Sequence, residues 1–312
     1  MDKIDLTYAS KGLDPKIIAV HDGRFHVDDV FAAMLMRAIY PKAKIIRIRD
    51  AEALNKADIV IDVGAIYDPK QLRFDHHQEG KAGRRENGIE FSGLGLVWNN
   101  WGMEICHGNR ELYDELDISL IQPIDADDNG QAMTAGSVQC FEGVKEVSLG
   151  ALIASHNPPS PKSLKDYDDS FEAAMNFAEI VFKNFLATKT SLLNERGAIV
   201  DGWRAQDDRR YVLDEGYRPV LRHSKHMPEL LFYIFPRESG GSWLMKSAHE
   251  SNMTNEQRNR KLMPKEWAGK SGKDLEEVSG IKGMLFCHNN LFICGAETKE
   301  AILEALEASM AT

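Results

Sequence analysis

Two imidazoles and several carboxylates crowd into nine residues, His21-Asp22-Gly23-Arg24-Phe25-His26-Val27-Asp28-Asp29. A second segment, Phe74-Asp75-His76-His77-Gln78, sets an acid beside consecutive histidines, and Asp125-Ala126-Asp127-Asp128-Asn129-Gly130 adds three more acids. Asp62 joins them from the end of an apolar run, Ile59-Val60-Ile61, just ahead of Val63-Gly64. Imidazole mixed with carboxylate is the usual donor set for Mn, Zn or Fe, whereas carboxylate alone favours Mg or Ca. The mixture points to a transition metal, Mn2+ first, with Mg2+ or Zn2+ behind it.

Each segment also has a plainer reading. Asp62 can hydrogen-bond the turn at Gly64, paired histidines occur on solvated turns, and the three acids can mark a solvated helix end. Acids at a helix C-terminus oppose the helix dipole, however, a cost that a bound cation relieves. Successive side chains alternate sides in extended chain, so either one of His76 and His77 ligates while the other faces substrate, or the chain turns there. Together the segments offer more polar donors than the four of a closed structural metal site.

The surrounding elements are of a kind that position such groups. Ile17 to Val20 reads as a buried strand ending at His21, and a helix runs from Asp28 with Val30, Phe31, Met34, Leu35, Ala38 and Ile39 at helical spacing. Pro41 lies just past its end. A strand at Lys44 to Ile48, a short helix at Asp50 to Lys56 and a strand at Asp58 to Asp62 follow. Strand, helix, strand, helix, strand reads as a parallel sheet, whose ligands bind beyond the carboxyl ends of the strands. His21 and Asp62 sit at such ends.

Further on, Leu72 to Asp75 reads as a short strand, Gln78 to Glu90 as a polar loop, and Gly93 to Gly102 and Glu111 to Ile124 as helices. Asn157-Pro158-Pro159-Ser160-Pro161 is the clearest breaker, and a long helix spans about Asp166 to Arg196. After Ala198 the texture turns β-like, at Tyr211 to Leu213, Pro219 to Leu221, Leu230 to Phe235, Trp243 to Met245, Met284 to Cys287 and Leu291 to Cys294. An amphipathic helix from Thr298 to Met310 follows. The expectation is an α/β chain: a parallel-sheet domain over 1–160, a connecting long helix over 161–197, and a smaller α+β domain over 198–312.

A length of 312 residues suits two cores better than one. No window nears the ~18 to 20 apolar residues of a spanning helix. The mixed-charge N-terminus lacks a signal core, which leads to a cytoplasmic expectation. Cys106, Cys140, Cys287 and Cys294 form no C-x-x-C pair and read as buried free thiols. A formal charge of -10 opposes indiscriminate adhesion to polyanions. Bound divalent ions would still reverse that sign locally.

In order, His-x4-His-x-Asp-Asp, Asp-Val-Gly, Phe-Asp-His-His-Gln and Asp-Asn-Gly resemble the DHH phosphoesterase superfamily. More closely, the chain is similar to the melanocyte-proliferating-gene family of DHH-like proteins. Gly93-Leu94-Gly95-Leu96-Val97-Trp98, Gly202-Trp203, Pro264-Lys265-Glu266-Trp267 and Val278 to Gly283 also sit in that family's order. The resemblance implies a DHH-like catalytic domain paired with a smaller substrate domain, the active site in the cleft between them. It implies His21, His26, Asp28, His76 and Asp128 as metal ligands and Asp62 as the carboxylate bridging two metals. His77 would contact the scissile phosphate or its leaving group, and Asp75 would orient a histidine. Relatives with the shorter first motif carry Asp where this chain has His26, which favours softer ions, and Asp29 stands where Glu is common.

Two divalent ions activate water for in-line attack at phosphorus, so no Ser or Cys nucleophile is needed. Neither a G-x-S-x-G elbow nor a P-loop is present. The resemblance implies 3′-to-5′ exonuclease action on RNA, making single-stranded nucleic acid or a nucleotide the expected partner. Arg84, Arg85, Arg209-Arg210 and the basic stretch from Arg258 to Lys273 are candidate phosphate contacts, although solvated faces are the commoner use of such residues. Trp243, Trp267 and Phe286 are candidate stacking rings, or simply core. Gly240, Gly241 and Gly283 would let backbone amides approach a phosphate, as the glycine loop of relatives does, or merely form turns. His288 completes the substrate-binding candidates. The alternatives are a small-molecule phosphatase or pyrophosphatase, and a non-catalytic metal- or RNA-binding protein.

Overall fold

The computed structural model describes residues 4–131, 147–161, 163–206, 209–214, 220–250 and 259–311. The chain divides into two compact units, Met1–Thr190 and Ser191–Thr312.

In the first unit, β1 (Ile17–Val20) leads through a short loop into α1 (Val27–Ile39), then β2 (Lys44–Arg47), α2 (Ala51–Lys56) and β3 (Ile59–Ile61). β4 (Tyr67–Asp68) and β5 (Arg73–Phe74) complete a five-stranded sheet in the order β2-β1-β3-β5-β4. All neighbours run parallel except β4 with β5. A parallel sheet is covered on both faces, which is why β1 and β3 are unbroken apolar runs rather than alternating ones. Their residues from Ile18 to Val20 and from Ile59 to Ile61 are buried.

The covering helices are α1 and α3 (Gly93–Ile105), joined by α4 (Arg110–Leu116), α5 (Gln122–Asp128) and α6 (Leu149–Ala154). Trp98 and Trp101 of α3 are fully buried, and the Trp101 indole N–H donates to Tyr40 Oη at 3.1 Å. The helix expected over Glu111 to Ile124 is interrupted: a π-turn at Asp117–Ile121 separates α4 from α5. The strand expected at Leu72 to Asp75 shrinks to Arg73–Phe74, because Leu72 adopts φ 57°, a left-handed conformation that no strand contains.

The long helix α7 (Leu164–Arg204) is the longest element, and its residues from Ser191 onward belong to the second unit. That unit holds β6 (Arg210–Val212), β7 (Phe232–Pro236), β8 (Trp243–Ser247), α8 (Gly272–Ser279), β9 (Met284–Cys287), β10 (Ile293–Ala296) and α9 (Lys299–Ala311). Its sheet runs β6-β7-β8-β10-β9, antiparallel throughout except β6 with β7. One face packs on Leu275, Ile302 and Leu306, the other on Ile199, Val200 and Trp203.

Two expected strands in this unit are corrected. Val220–His226 forms a 3-10 helix, with Pro219 outside the described residues, and Leu291 occupies the hairpin turn at φ 59°, so β10 begins only at Ile293. Cys106, Cys287 and Cys294 are buried free thiols, and burial pushes Cys106 up to about 12 and Cys287 up to about 11. Cys140 and Arg258 lie outside the described residues. Among the described residues no helix is long and apolar enough to cross a membrane.

Candidate metal centre

Parallel pairing assembles the cluster. β1 and β3 are hydrogen-bonded neighbours with Val20 opposite Ile61, so the next residues, His21 and Asp62, emerge together at the carboxyl edge. β5 pairs β3 with Phe74 opposite Ile61, which delivers Asp75, His76 and His77 to the same edge. Asp62 sits at φ 56°, a conformation that Asp and Asn tolerate better than other side chains. The chain turns sharply there, through Gly64 and Ala65, both also at positive φ.

The other side of the cluster comes from helix ends. His26 caps α1, its amide donating to Asp29 Oδ1 at 2.8 Å, and Asp28 and Asp29 occupy the first turn, where the helix dipole favours negative charge. Asp128 arrives from the C-terminal end of α5.

These side chains fall into two groups whose ligand atoms lie within 4.8 Å of one another: Asp62 with His76 and His77, and His26 with Asp28 and Asp128. His76 stands between the groups, its Nε2 being 3.2 Å from Asp62 Oδ1 and 3.3 Å from Asp128 Oδ2. His21 Nε2 lies 3.1 Å from Asp29 Oδ2 and 3.5 Å from Asp62 Oδ2. Asp75 accepts from the amides of Ala65 and His77, and its Oδ1 is 2.7 Å from His77 Nδ1.

The polar bookkeeping around these groups has a gap. Asp28 Oδ1, Asp62 Oδ1 and both ring nitrogens of His76 are buried without an aligned hydrogen bond. Interiors rarely leave such atoms unpaired, since each costs roughly 1–3 kcal/mol. Burial, with the carboxylates of Asp62, Asp128 and Asp29 nearby, holds Asp28 well above the usual carboxylate range. Asp62 is raised as well, by burial, partly offset by His76. Histidine and carboxylate donors that are buried, mutually close and unsatisfied fit a divalent cation.

The structure gives hydrogen-bond partners to the two acids whose roles the spacing left open, Asp29 and Asp125. Asp29 spends one oxygen on the α1 cap and turns the other toward His21. Asp125 is fully buried and accepts from Ser92 N, Ser92 Oγ and Gly95 N at 3.1, 2.6 and 3.0 Å, and from Arg85. Burial pushes its carboxyl up to about 6, with Arg85 pulling the other way. Asp125→Ala is expected to lower stability by about 3 kcal/mol or more, because it strands the Ser92 and Gly95 donors and weakens the pairing of Arg85. A urea midpoint that falls at unchanged slope would register this.

Arg85, expected among the phosphate contacts, is paired within the protein instead. Its two terminal nitrogens pair with Asp125 and Asp117, and its guanidinium lies 4.4 Å from the Phe91 ring centroid. Arg84 is exposed and bridges Glu90 through the backbone. In the second unit, Gly240 and Gly241, both at φ 74°, turn the chain between β7 and β8, and the Gly283 amide donates to Glu276. His288 is exposed, with Nδ1 accepting from the Asn290 amide at 3.0 Å. Trp267 is core, 3% exposed, so it is not a stacking surface; Phe286 is half-buried beside Gly295, and Trp243 is covered by Lys299.

Two supports escaped the motif reading. Gly93 N donates to Asp28 Oδ2 at 3.1 Å, and a Cβ there would lie 2.9 Å from Asp62 Cβ. The Ser-Gly-x-Gly start of α3 was the available signal, since paired glycines at a helix start let backbone approach closely. Asn157, the first residue of the breaker, is buried in the first unit and clamps the loop before His26, holding Phe25 N and O at 3.1 and 2.9 Å.

Residues 17–310 match the MYG1 exonuclease family, described as an uncharacterised protein family (UPF0160). The chain belongs to that family. Similar MYG1 sequences include the MYG1 exonuclease of Homo sapiens, 28% identical over 97% of this chain and 88% of that one. The MYG1 protein of Chlamydia pneumoniae is 30% identical over 95% and 97% of the two chains. The MYG1 match spans both compact units and every residue of the cluster. Among solved structures, RecJ from Thermus thermophilus in complex with Mn2+ aligns with 99% of this chain at 14% identity and a TM-score of 0.25. The chain spans about half of that protein, 54%, and the likeness is too weak to bear on the site.

Proposed function

We propose that this member of the MYG1 family is a divalent-metal-dependent phosphodiesterase that removes nucleotides from the 3′ end of single-stranded nucleic acid, RNA first. The observation that carries the reading is the pair of adjacent His/Asp groups with buried, unsatisfied ligand atoms, opening on a cavity of about 510 Å³. Family relatives named as exonucleases support a nucleic-acid substrate.

In this reading His26, Asp28 and Asp128 would hold one ion and Asp62, His76 and His21 a second, with the Asp62 carboxylate available to both. The mixed donor set favours Mn2+. When bound, the metal pair supplies Lewis acidity toward the phosphate and activates water near neutral pH. His77 contacts the phosphate or the leaving oxygen: it lines the cavity, and its hydrogen bond to Asp75 raises it above the ordinary histidine range. Asp75 fixes that ring through Nδ1, leaving Nε2 for the substrate side. Gly93 and Asp29 keep Asp28 and His21 in place.

The deciding experiment is metal analysis of the purified protein together with product analysis on a 5′-labelled RNA oligonucleotide. Mn2+-dependent release of mononucleotides, with a ladder shortening from the 3′ end, is expected. Hydrolysis of pyrophosphate or nucleoside bisphosphates with no shortening of RNA or DNA would replace this reading with a small-molecule phosphatase. Binding should also stabilise the fold. At free Mn2+ about 100-fold above its dissociation constant, unfolding should cost about 2.7 kcal/mol more, and a chelator should remove that gain. Thermal melts with and without Mn2+ measure it.

A further inference from the structure

Two cavities border the cluster, and His26 and His77 line both. The first, of about 510 Å³, also touches His76 and Asp128, so it reaches both ligand groups. The second, of about 450 Å³, reaches Asp62 but not Asp128, and much of its wall is apolar, formed by Ala51, Leu54, Val63 and Ala65. Among the described residues, Lys81 supplies the only Lys or Arg lining the first cavity and Arg49 the only one lining the second.

Neither cation is firmly held. Lys81 Nζ lies 3.4 Å from Asn129 Oδ1 and 3.8 Å from Glu90 Oε2, with its side chain 48% exposed. Arg49 Nε pairs with Asp22 at 3.2 Å, with its side chain 61% exposed. Such open pairs are worth no more than about 1 kcal/mol and yield to a phosphate, which accepts stronger charge-assisted bonds. Lys81 also sits at φ 61°, a left-handed conformation costly for a side chain with a Cβ, and such strain concentrates at ligand-binding positions.

We infer that Lys81 and Arg49 hold consecutive phosphates of a single-stranded polynucleotide, the reacting phosphate beside Lys81 and its neighbour beside Arg49. The cavity that reaches both ligand groups takes the reacting phosphate. The apolar wall of the other suits the nucleoside between the two phosphates, and Arg49 then meets the second. This inference rests on the phosphodiesterase reading and specifies its substrate: a chain of at least two phosphates rather than one.

The test uses the full-length, Mn2+-loaded protein and the variants Lys81→Met, Arg49→Met and Arg49→Lys. Lys56→Met, which removes a charge outside both cavities, is the control for net charge. Kinetics are compared on an oligonucleotide and on bis(4-nitrophenyl) phosphate, a diester with a single phosphate. Binding of a phosphorothioate oligonucleotide is followed by fluorescence anisotropy across a salt series. Losing one charge-assisted phosphate contact should raise KM on the oligonucleotide about tenfold to a hundredfold. It should also flatten the log-log dependence of binding on salt by about 0.7. Arg49→Met should lower the preference for oligonucleotide over the small diester, Lys81→Met should impair both substrates, and Arg49→Lys should recover the salt slope. Parental KM and slope in both Met variants, or effects matched by Lys56→Met, would overturn the assignment. If the parent cleaves the small diester but its oligonucleotide binding ignores salt, the two-phosphate inference fails while the hydrolase reading stands. If the parent cleaves nothing yet both Met variants flatten its salt slope, the hydrolase reading fails, and with it the reacting-phosphate assignment, while Lys81 and Arg49 stand only as phosphate-binding residues.

Discussion

Asp62→Asn should abolish hydrolysis, by about a thousandfold or more, while leaving the fold intact. If Asp62 serves both ions as proposed, its loss would remove metal-derived stabilisation of several kcal/mol, and each 1.36 kcal/mol is tenfold in rate. Asn is the substitution to make, because it tolerates the positive φ of Asp62, whereas Ala would add backbone strain of about 1–2 kcal/mol. Burial already raises the Asp62 carboxyl, and Asp29 adds to the effect. Neutralising it should therefore leave the metal-free protein at least as stable as the parent, a trade often seen where sites are built for function rather than stability. The expected pattern is a crossing: with chelator the variant melts no lower than the parent, and with Mn2+ only the parent gains. A variant that keeps Mn2+-dependent hydrolysis would remove Asp62 from the mechanism. A variant unfolded under both conditions would make the cluster a structural one.

Gly93→Ala should be nearly as damaging although it touches no reacting atom. The added Cβ would stand 2.9 Å from Asp62 Cβ and 3.3 Å from Asp28 Oδ2, so a helix start or a ligand must move. Misplacing catalytic groups by about 1 Å costs around a hundredfold. Alanine also favours the helix by up to about 1 kcal/mol, which offsets part of the strain, so global stability should change little. Activity should fall about a hundredfold, the Mn2+-induced rise in melting temperature should shrink, and the circular dichroism spectrum should stay parental. Parental kinetics with a parental Mn2+ response would mean that the first turn of α3 shifts freely and does not position the ligands.

Residues near in sequence were the legible ones. His21 and Asp62 could be placed at one sheet edge because buried parallel strands are short apolar runs, and the residue that ends each run lies at its carboxyl end. The first turn of α1 was visible from the spacing of Val30, Phe31 and Met34. The starts of β5 and β10 were not, because Leu72 and Leu291 are apolar residues that continue the adjoining runs, yet both sit in left-handed turns.

Within the cluster, the amino-acid sequence by itself determined the chemistry on offer: imidazole and carboxylate donors, delivered at strand ends and helix ends. Only the tertiary structure decided which partner each donor meets. Asp125 and Asp128 lie on one short helix, yet Asp125 is an interior clamp for Ser92, Gly95 and Arg85, while Asp128 faces His76. Arg85 reads as a phosphate ligand until Asp117 and Asp125 are seen to hold it, and Lys81 and Arg49 gain their place only from the cavities they line. The reason is physical. A donor's type is local, but whether it is buried, paired or left open is set by residues 30 to more than 100 positions away, as Ser92 is for Asp125 and Asn157 for Phe25.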